Sequence, residues 1–476
     1  MRILITGGDH PLARLAIEHL HPLFDLRVVD NHFASAFPPG LDAQTGDLRD
    51  EAFVTAVVKN VELLLHFAPL SLTGDDERAN LEQATLGAYQ LAHAARKAGV
   101  GRIILGSTMA LFATAPQGWR ITEQWRPRPQ PTQSDLCAWL AECGLREIAR
   151  DHGLPVICVR FGAPDATAVA ALQQALVVKV DGWRVLHAAQ KSPIATSPVY
   201  PAIASRPIQK VVIFGSGGPL AAAAALELAP HYQLRLTDVK PLATIIAEGP
   251  RRDQHPGAPL AVSLAAPHDE MVVDVTDAAQ VLAACAGADA IVNCTVVRHH
   301  VAGSFSVNVV GAYNVMQAAV THGIRRVVHT GPFQLGLGGG AGYSWDTLVG
   351  DDVPARPGSA MVSYLHTKYL GQEVCRIFAE AYQLETPALL FCDFADLVYH
   401  RPHDASVHPF TVTWGDAARA IRCALETPTL PSPFELLHIN ADLPHGVFPN
   451  EKAKRMIGWQ PLDALESWWP AEETAR

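Results

Sequence analysis

Cysteine is scarce and unpatterned: eight residues in 476, with no C-x-x-C pair and no Cys/His cluster at metal-ligand spacing. A disulfide framework and a structural zinc site are thereby excluded, and the thiols read as reduced and mostly buried. No basic stripe offsets a formal charge of −10, which argues against nucleic acid as a partner. No uninterrupted apolar run approaches the ~20 residues of a membrane span; the longest alanine-rich stretch, Leu220–Leu228, is far too short. The first apolar strand is under way by Ile3, so the sequence predicts no signal peptide and a cytoplasmic protein. Charged residues are few, at 18% against 49% hydrophobic, a balance of globular domains rather than disordered chains. Histidine is plentiful, at 21. Yet His299-His300 lack an acidic or thiol partner at ligand spacing, and His403 and His408 have only Asp404 between them. No metal is expected.

What the chain does have, it has twice. RILITGGDHPLA at Arg2–Ala13 returns as KVVIFGSGGPLA at Lys210–Ala221, each copy an apolar strand, a glycine turn and the start of a helix. That order is the phosphate cradle of a dinucleotide-binding βαβ unit. The repeat continues: Gly46–Asp50 answers Val273–Asp277, Leu63–Pro69 answers Ala290–Val296, and Asn80–Thr108 answers Asn308–Gly331. The offset drifts from 208 to 224, which predicts a loop insertion in the second copy near Gly249–Gly257. Between the copies, the Pro- and Ser-rich stretch Lys191–Pro207 reads as a linker. Short Val/Ile/Leu runs alternating with longer amphipathic segments predict α/β architecture: two doubly wound parallel-sheet domains, 1–190 and 208–476.

The glycine turns differ. Gly215, Gly218 and Ala221 keep a G-x-x-G-x-x-A spacing; Gly7 and Gly8 survive in the first copy, but His10 stands where the middle glycine belongs. Asp30 and Asp238 end the second strand of each copy, where an acid accepts from both ribose hydroxyls and favours NAD over NADP.

These segments, with GVGRIILGST, HGLPVICVRFG, FTVTWGDAARA and FPNEKAKRMIGWQP, resemble the extended short-chain dehydrogenase/reductase family, the NAD-dependent epimerase/dehydratase group. The resemblance covers nearly the whole chain outside the linker. It implies adenine contacts at Asp47-Leu48 and Asp274-Val275, and a catalytic Tyr-x-x-x-Lys with a Ser/Thr on the preceding strand. The second copy supplies Tyr364 as acid/base and Lys368 as its electrostatic partner. Pro332 falls where the hydroxyl belongs, leaving Thr330 as the candidate, and Cys392 stands near the family's Arg position. The first copy has the reverse losses: Ser107, Thr108 and Arg160 are present, but Ser134–Cys143 holds neither Tyr nor Lys.

The short segments Asp393–Pro409 and Gly162–Val178 leave little room for a substrate cap. By analogy with short-capped relatives, a small polar, sugar-acid-like substrate is expected. Family members commonly dimerise through two helices per subunit. The same contact within one chain predicts Ala84–Ala98 and Ala138–Asp151 packed on Val309–His322 and Ser363–Tyr382, an intramolecular pseudo-dimer. Two functions remain open on sequence: an NAD-linked oxidoreductase or epimerase working through the second copy, or an inactive nucleotide-binding protein.

Overall fold

The computed structural model describes residues 1–72, 74–116, 118–188, 200–250, 257–333, 362–398, 407, 410–444 and 448–468. Residues 191–199 of the expected linker, 251–256 of the expected insertion, and His403 and His408 lie outside them. The chain divides into two compact units, Met1–Val199 and Tyr200–Arg476.

The first unit is a seven-stranded parallel sheet. Its strands are β1 (Arg2–Thr6), β2 (Asp25–Asp30), β3 (Asp42–Thr45), β4 (Leu63–His66), β5 (Arg102–Thr108), β6 (Val156–Phe161) and β7 (Trp183–Ala188), in spatial order 3-2-1-4-5-6-7. The second unit repeats it with β8 (Lys210–Phe214), β9 (Gln233–Asp238), β10 (Asp269–Val272), β11 (Ala290–Asn293), β12 (Arg326–Pro332) and β13 (Thr386–Phe391). A two-stranded ribbon, β14 (Asp393–Ala395) with β15 (Thr411–Thr413), follows, and β16 (Phe434–His438) closes the sheet beside β13. In each sheet the winding reverses direction between the first and fourth strands, which leaves a crevice at the carboxyl ends there.

Central strands such as β4 and β6 are buried along their whole length, as a sheet covered by helices on both faces requires. Ile3, Ile5, Leu63, Leu65 and Ile157 anchor one core, and Val211, Ile213, Val292, Leu389 and Trp459 the other. Local details recur between units. Asp50 and Asp277 each cap a helix by accepting from backbone N–H groups of its first turn. Arg27 pairs with Asp42 and bonds the carbonyls of Val57 and Lys59; Arg235 pairs with Asp269 and bonds those of Ala284 and Ala286. A single π-helical turn interrupts the helix after the fourth strand in both, at Gln83–Gly87 and Ser306–Val310. The expected insertion is present in the numbering: Asp274 follows Asp238 by 36 positions, against 17 from Asp30 to Asp47. Part of the excess forms the helix Leu242–Glu248.

Strand register refines the alignment of the two sites. Ser107 pairs with Arg160 in the first sheet and Gly331 with Leu390 in the second. Leu390, rather than Cys392, therefore occupies the Arg position. In the first unit Arg160 forms a buried, bidentate pair with Glu142 (2.9 and 2.6 Å), and Ser107 Oγ donates to the same carboxylate. The residue 230 positions after Glu142, the same offset that relates Arg160 to Leu390, is Gln372. The second unit has thus lost acid, base and hydroxyl together. Breaking one half of such a pair strands a buried charge, whereas replacing both removes it. Arg160→Leu is therefore expected to destabilise the first unit by about 3–5 kcal/mol, and Glu142→Gln with Arg160→Leu to recover most of that. Calorimetry of the full chain reads both, and a double variant no better than the single one contradicts the account.

Candidate functional site

Each crevice begins at a glycine turn whose backbone leaves no room for a side chain. Gly7 has φ +69°, and a Cβ there would meet Ala68 N at 2.6 Å; Gly215 has φ +81°, and its Cβ would lie 3.1 Å from Cys294 C and Thr295 N. Only glycine tolerates both the left-handed conformation and the contact.

Beyond that shared start the turns diverge. In the second unit Gly218 precedes the helix Pro219–Leu228 without any side-chain cap, so the free N–H groups of its first turn face the crevice, the arrangement that receives a phosphate. Ala221 is fully buried at the helix-packing position. Asp238 accepts from Gly217 N (2.9 Å) and Val239 N (2.8 Å) and stays partly accessible. Ile245 lies against Gly217.

In the first unit His10 caps its own helix, Pro11–Leu20, with Nδ1 accepting from Leu12 N. Burial holds this imidazole below its ordinary pKa, and hence neutral. The following segment roofs the turn: Asp9 binds Arg14 and Ala34 N, Arg14 stacks on Phe37 at 3.8 Å, and Phe33 approaches Gly8. Asp30 is buried, with its oxygens accepting from Asp9 N and Asn31 N, and burial raises its pKa. Asp47 is clamped by Arg49, which also reaches Glu82. The groups that would hold a dinucleotide are thus already engaged within the unit. A cleft of about 300 Å³ remains further along the edge, lined by His10, Leu70, Ser107, Thr108, Ser134 and Phe161.

The residues expected to border an adenine occupy equivalent places in the two units. Leu48 and Val275 are buried against Gly87 and Gly311, while Asp274 accepts from Thr276 N and has a threonine where Asp47 has Arg49.

Tyr364 and Lys368 lie on the helix Val362–Tyr382; Ser134 and Ala138 hold the same positions in the first unit. Lys368 points inward, 4% exposed, its Nζ 3.4 Å from Thr295 O. Burial depresses its pKa to about 8, and among the described residues its ammonium meets no carboxylate. His329 lies nearby, fully buried with neither ring nitrogen hydrogen-bonded, and is held neutral by burial and by Lys368. Tyr364 is half-buried, its pKa raised by burial and opposed by Arg298. The hydroxyl of Thr330 is turned into the sheet, where it donates to Asn293 O at 2.9 Å, and so does not serve Tyr364. Pro332 stands opposite Phe391, as Thr108 stands opposite Phe161. The structure therefore brings Tyr364 and Lys368 to the crevice that begins at Gly215, and leaves Thr330 out of it. Arg298, which carries no motif, was not legible as a neighbour of Tyr364.

Among the described residues there is no cluster of metal ligands and no helix long and apolar enough to cross a membrane.

The model of the NAD dependent epimerase/dehydratase family matches residues 3–164, and that of the 3-beta hydroxysteroid dehydrogenase/isomerase family matches residues 260–374. A uronate dehydrogenase of Pseudomonas putida is 29% identical over 168 residues, 34% of this chain and 60% of its own. A UDP-glucose 4-epimerase of Streptomyces lividans is 28% identical over 138 residues, 27% of this chain and 42% of its own. The chain thus spans less than two thirds of either relative's length. Among solved structures, a glucuronic acid dehydrogenase from Chromohalobacter salexigens has a TM-score of 0.45 at 20% identity, covering 56% of this chain and 90% of that one. A uronate dehydrogenase from Agrobacterium tumefaciens has 0.43 at 23% identity, covering 55% and 86%.

A buried ammonium without a counter-charge destabilises the fold that contains it. The displacement of Lys368 from 10.5 to about 8 corresponds to about 3 kcal/mol. The folded state binds this proton less tightly, so the penalty is complete below pH 8 and fades as pH rises towards 10.5. Lys368→Met is expected to raise the ligand-free melting temperature at pH 7, by a margin that shrinks at pH 9.5. A margin that is absent at pH 7, or equal at both pH values, contradicts this.

Proposed function

We propose, for a chain that belongs to the NAD-dependent epimerase/dehydratase family as two degenerate copies in tandem, that the second unit binds NAD and acts as an oxidoreductase or epimerase on a small sugar-acid-like substrate, while the first unit serves as a structural half. The observation that carries this reading is Lys368. A buried cation that meets no carboxylate among the described residues, its Nζ on the Thr295 carbonyl beside the Gly215 turn, costs stability, which is the mark of a ligand-binding group.

The residues present fit the cofactor. Gly215 and Gly218 leave the helix N-terminus open to a pyrophosphate, Asp238 suits unsubstituted ribose hydroxyls, and Asp274 and Val275 border the adenine side. A nicotinamide held there would supply the hydride acceptor or donor. On the protein's side, Tyr364 holds or moves the substrate hydroxyl proton, and Lys368 offers its ammonium to ribose hydroxyls. A uronic acid is the preferred substrate class because the uronate dehydrogenase relative shares 29% identity, and the segment between Asp393 and Pro409 is too short for a large cap.

A second reading is an NAD-binding protein without turnover. It is favoured by Pro332 at the hydroxyl position and by the engagement of the Thr330 hydroxyl with Asn293 O.

Calorimetric titration of NAD into the full chain is expected to give one site, lost in Gly218→Trp and retained in Tyr364→Phe. With D-glucuronate or D-galacturonate, NADH formation is expected to fall at least 100-fold in Tyr364→Phe. Binding without NADH formation supports the second reading; no binding defeats both.

A further inference from the structure

The cation set against Tyr364 comes from a different element from the one the motif supplies. Arg298 lies in the loop that follows β11. Its guanidinium carbon sits over the face of the Tyr364 ring, 5.4 Å from the centroid, and its positive charge favours the ionised phenol. Lys368, one helical turn on from Tyr364, instead turns to the interior and sets its ammonium against Thr295 O, beside Cys294, Cys375 and His329. Among the described residues the groups acting on the phenol are Arg298 and, from the end of β13, the thiol of Cys392, which opposes ionisation.

We propose that Arg298 is a positioning residue for Tyr364: its guanidinium, placed over the ring, holds the ring and stabilises the phenolate, leaving Lys368 to the ligand-binding floor. The proposal rests on the reading of Tyr364 as acid/base.

The chemistry suits the assignment. A guanidinium stays protonated throughout the working range and packs flat on aromatic faces, and its attraction to the ring strengthens as the phenol becomes an anion. An ammonium with a pKa near 8, by contrast, loses its charge over the range in which a tyrosine must give up its proton. The first unit agrees: the fourth-strand alignment that sets Ala290 against Leu63 puts Ser71 where Arg298 stands, and Ser134 occupies the Tyr364 position. Cation and phenol are absent together where the site is closed.

The test is a titration of the resting full chain, which needs no turnover. With ring-¹³C tyrosine and Tyr364 assigned from Tyr364→Phe, Arg298→Met is expected to raise the Tyr364 pKa by one or more, Arg298→Lys to restore part of the change, and Lys368→Met to move it by less than half as much. Arg298 is exposed, so Arg298→Met is expected to melt within a few degrees of the parent, which checks folding. An unchanged Tyr364 in Arg298→Met, a larger effect from Lys368→Met, or a parent Tyr364 that does not ionise below pH 11 overturns the proposal. These outcomes are independent of NADH formation: absent turnover with the predicted shift removes the catalytic reading alone, and turnover lost in Tyr364→Phe without the shift removes this inference alone.

Discussion

Both units depend on one close approach: the first strand turns so tightly against the end of the fourth that only glycine fits. Gly7 lies against the backbone of Phe67 and Ala68, and Gly215 against that of Cys294 and Thr295. This contact aims the following helix at the crevice and fixes the distance between its N-terminus and the ends of the strands. Everything chemical in either half is arranged around it. With the contact preserved twice, the two halves differ in what stands three residues later. Gly218 leaves the helix end open, whereas His10 closes it with its own ring.

The divergence of the halves follows an energetic logic. In the first unit the polar groups of the site have found one another: Ser107 with Glu142 and Arg160, Asp47 with Arg49, Asp30 with backbone N–H groups. These groups are satisfied without a ligand, although Asn31 Oδ1 and His66 Nε2 of the same unit have no hydrogen-bond partner among the described residues. In the second unit the acid–base pair has given way to Gln372 and Leu390, yet among the described residues Lys368 remains buried without an acid, and the Gln372 amide nitrogen and both ring nitrogens of His329 have no hydrogen-bond partner. Satisfied polar groups rigidify a core, and unsatisfied ones mark a place where a partner is still to come.

Much of this was legible in the sequence because it is written in local pattern. The doubled strand-and-glycine turn, the intrusion of His10, the acids ending the second strands, and Tyr364 and Lys368 on one helix are all read from spacing. The fold followed from alternation of apolar runs. What was not legible depends on directions that spacing does not encode. Ser107 and Arg160 were expected as an available hydroxyl and guanidinium, but Glu142 engages both from a helix between them in sequence. Register, which sequence alone left two residues adrift, puts Leu390 and not Cys392 at the Arg position. Arg298 is distant from Tyr364 in the chain and carries no motif, and only the course of the loop after β11 brings them together.

The cap formed by His10 has a consequence for acid conditions. A histidine at a protein surface would be expected to charge as pH falls, and a charged imidazole could no longer accept the N–H of Leu12. Here two influences oppose that change: burial disfavours the proton, and the positive end of the helix it covers would repel the resulting charge. The closure of the first unit therefore gives way only at a lower pH than that at which a free histidine charges. It is a stopper held by shape as much as by charge, and acid must overcome both burial and the helix end to open it.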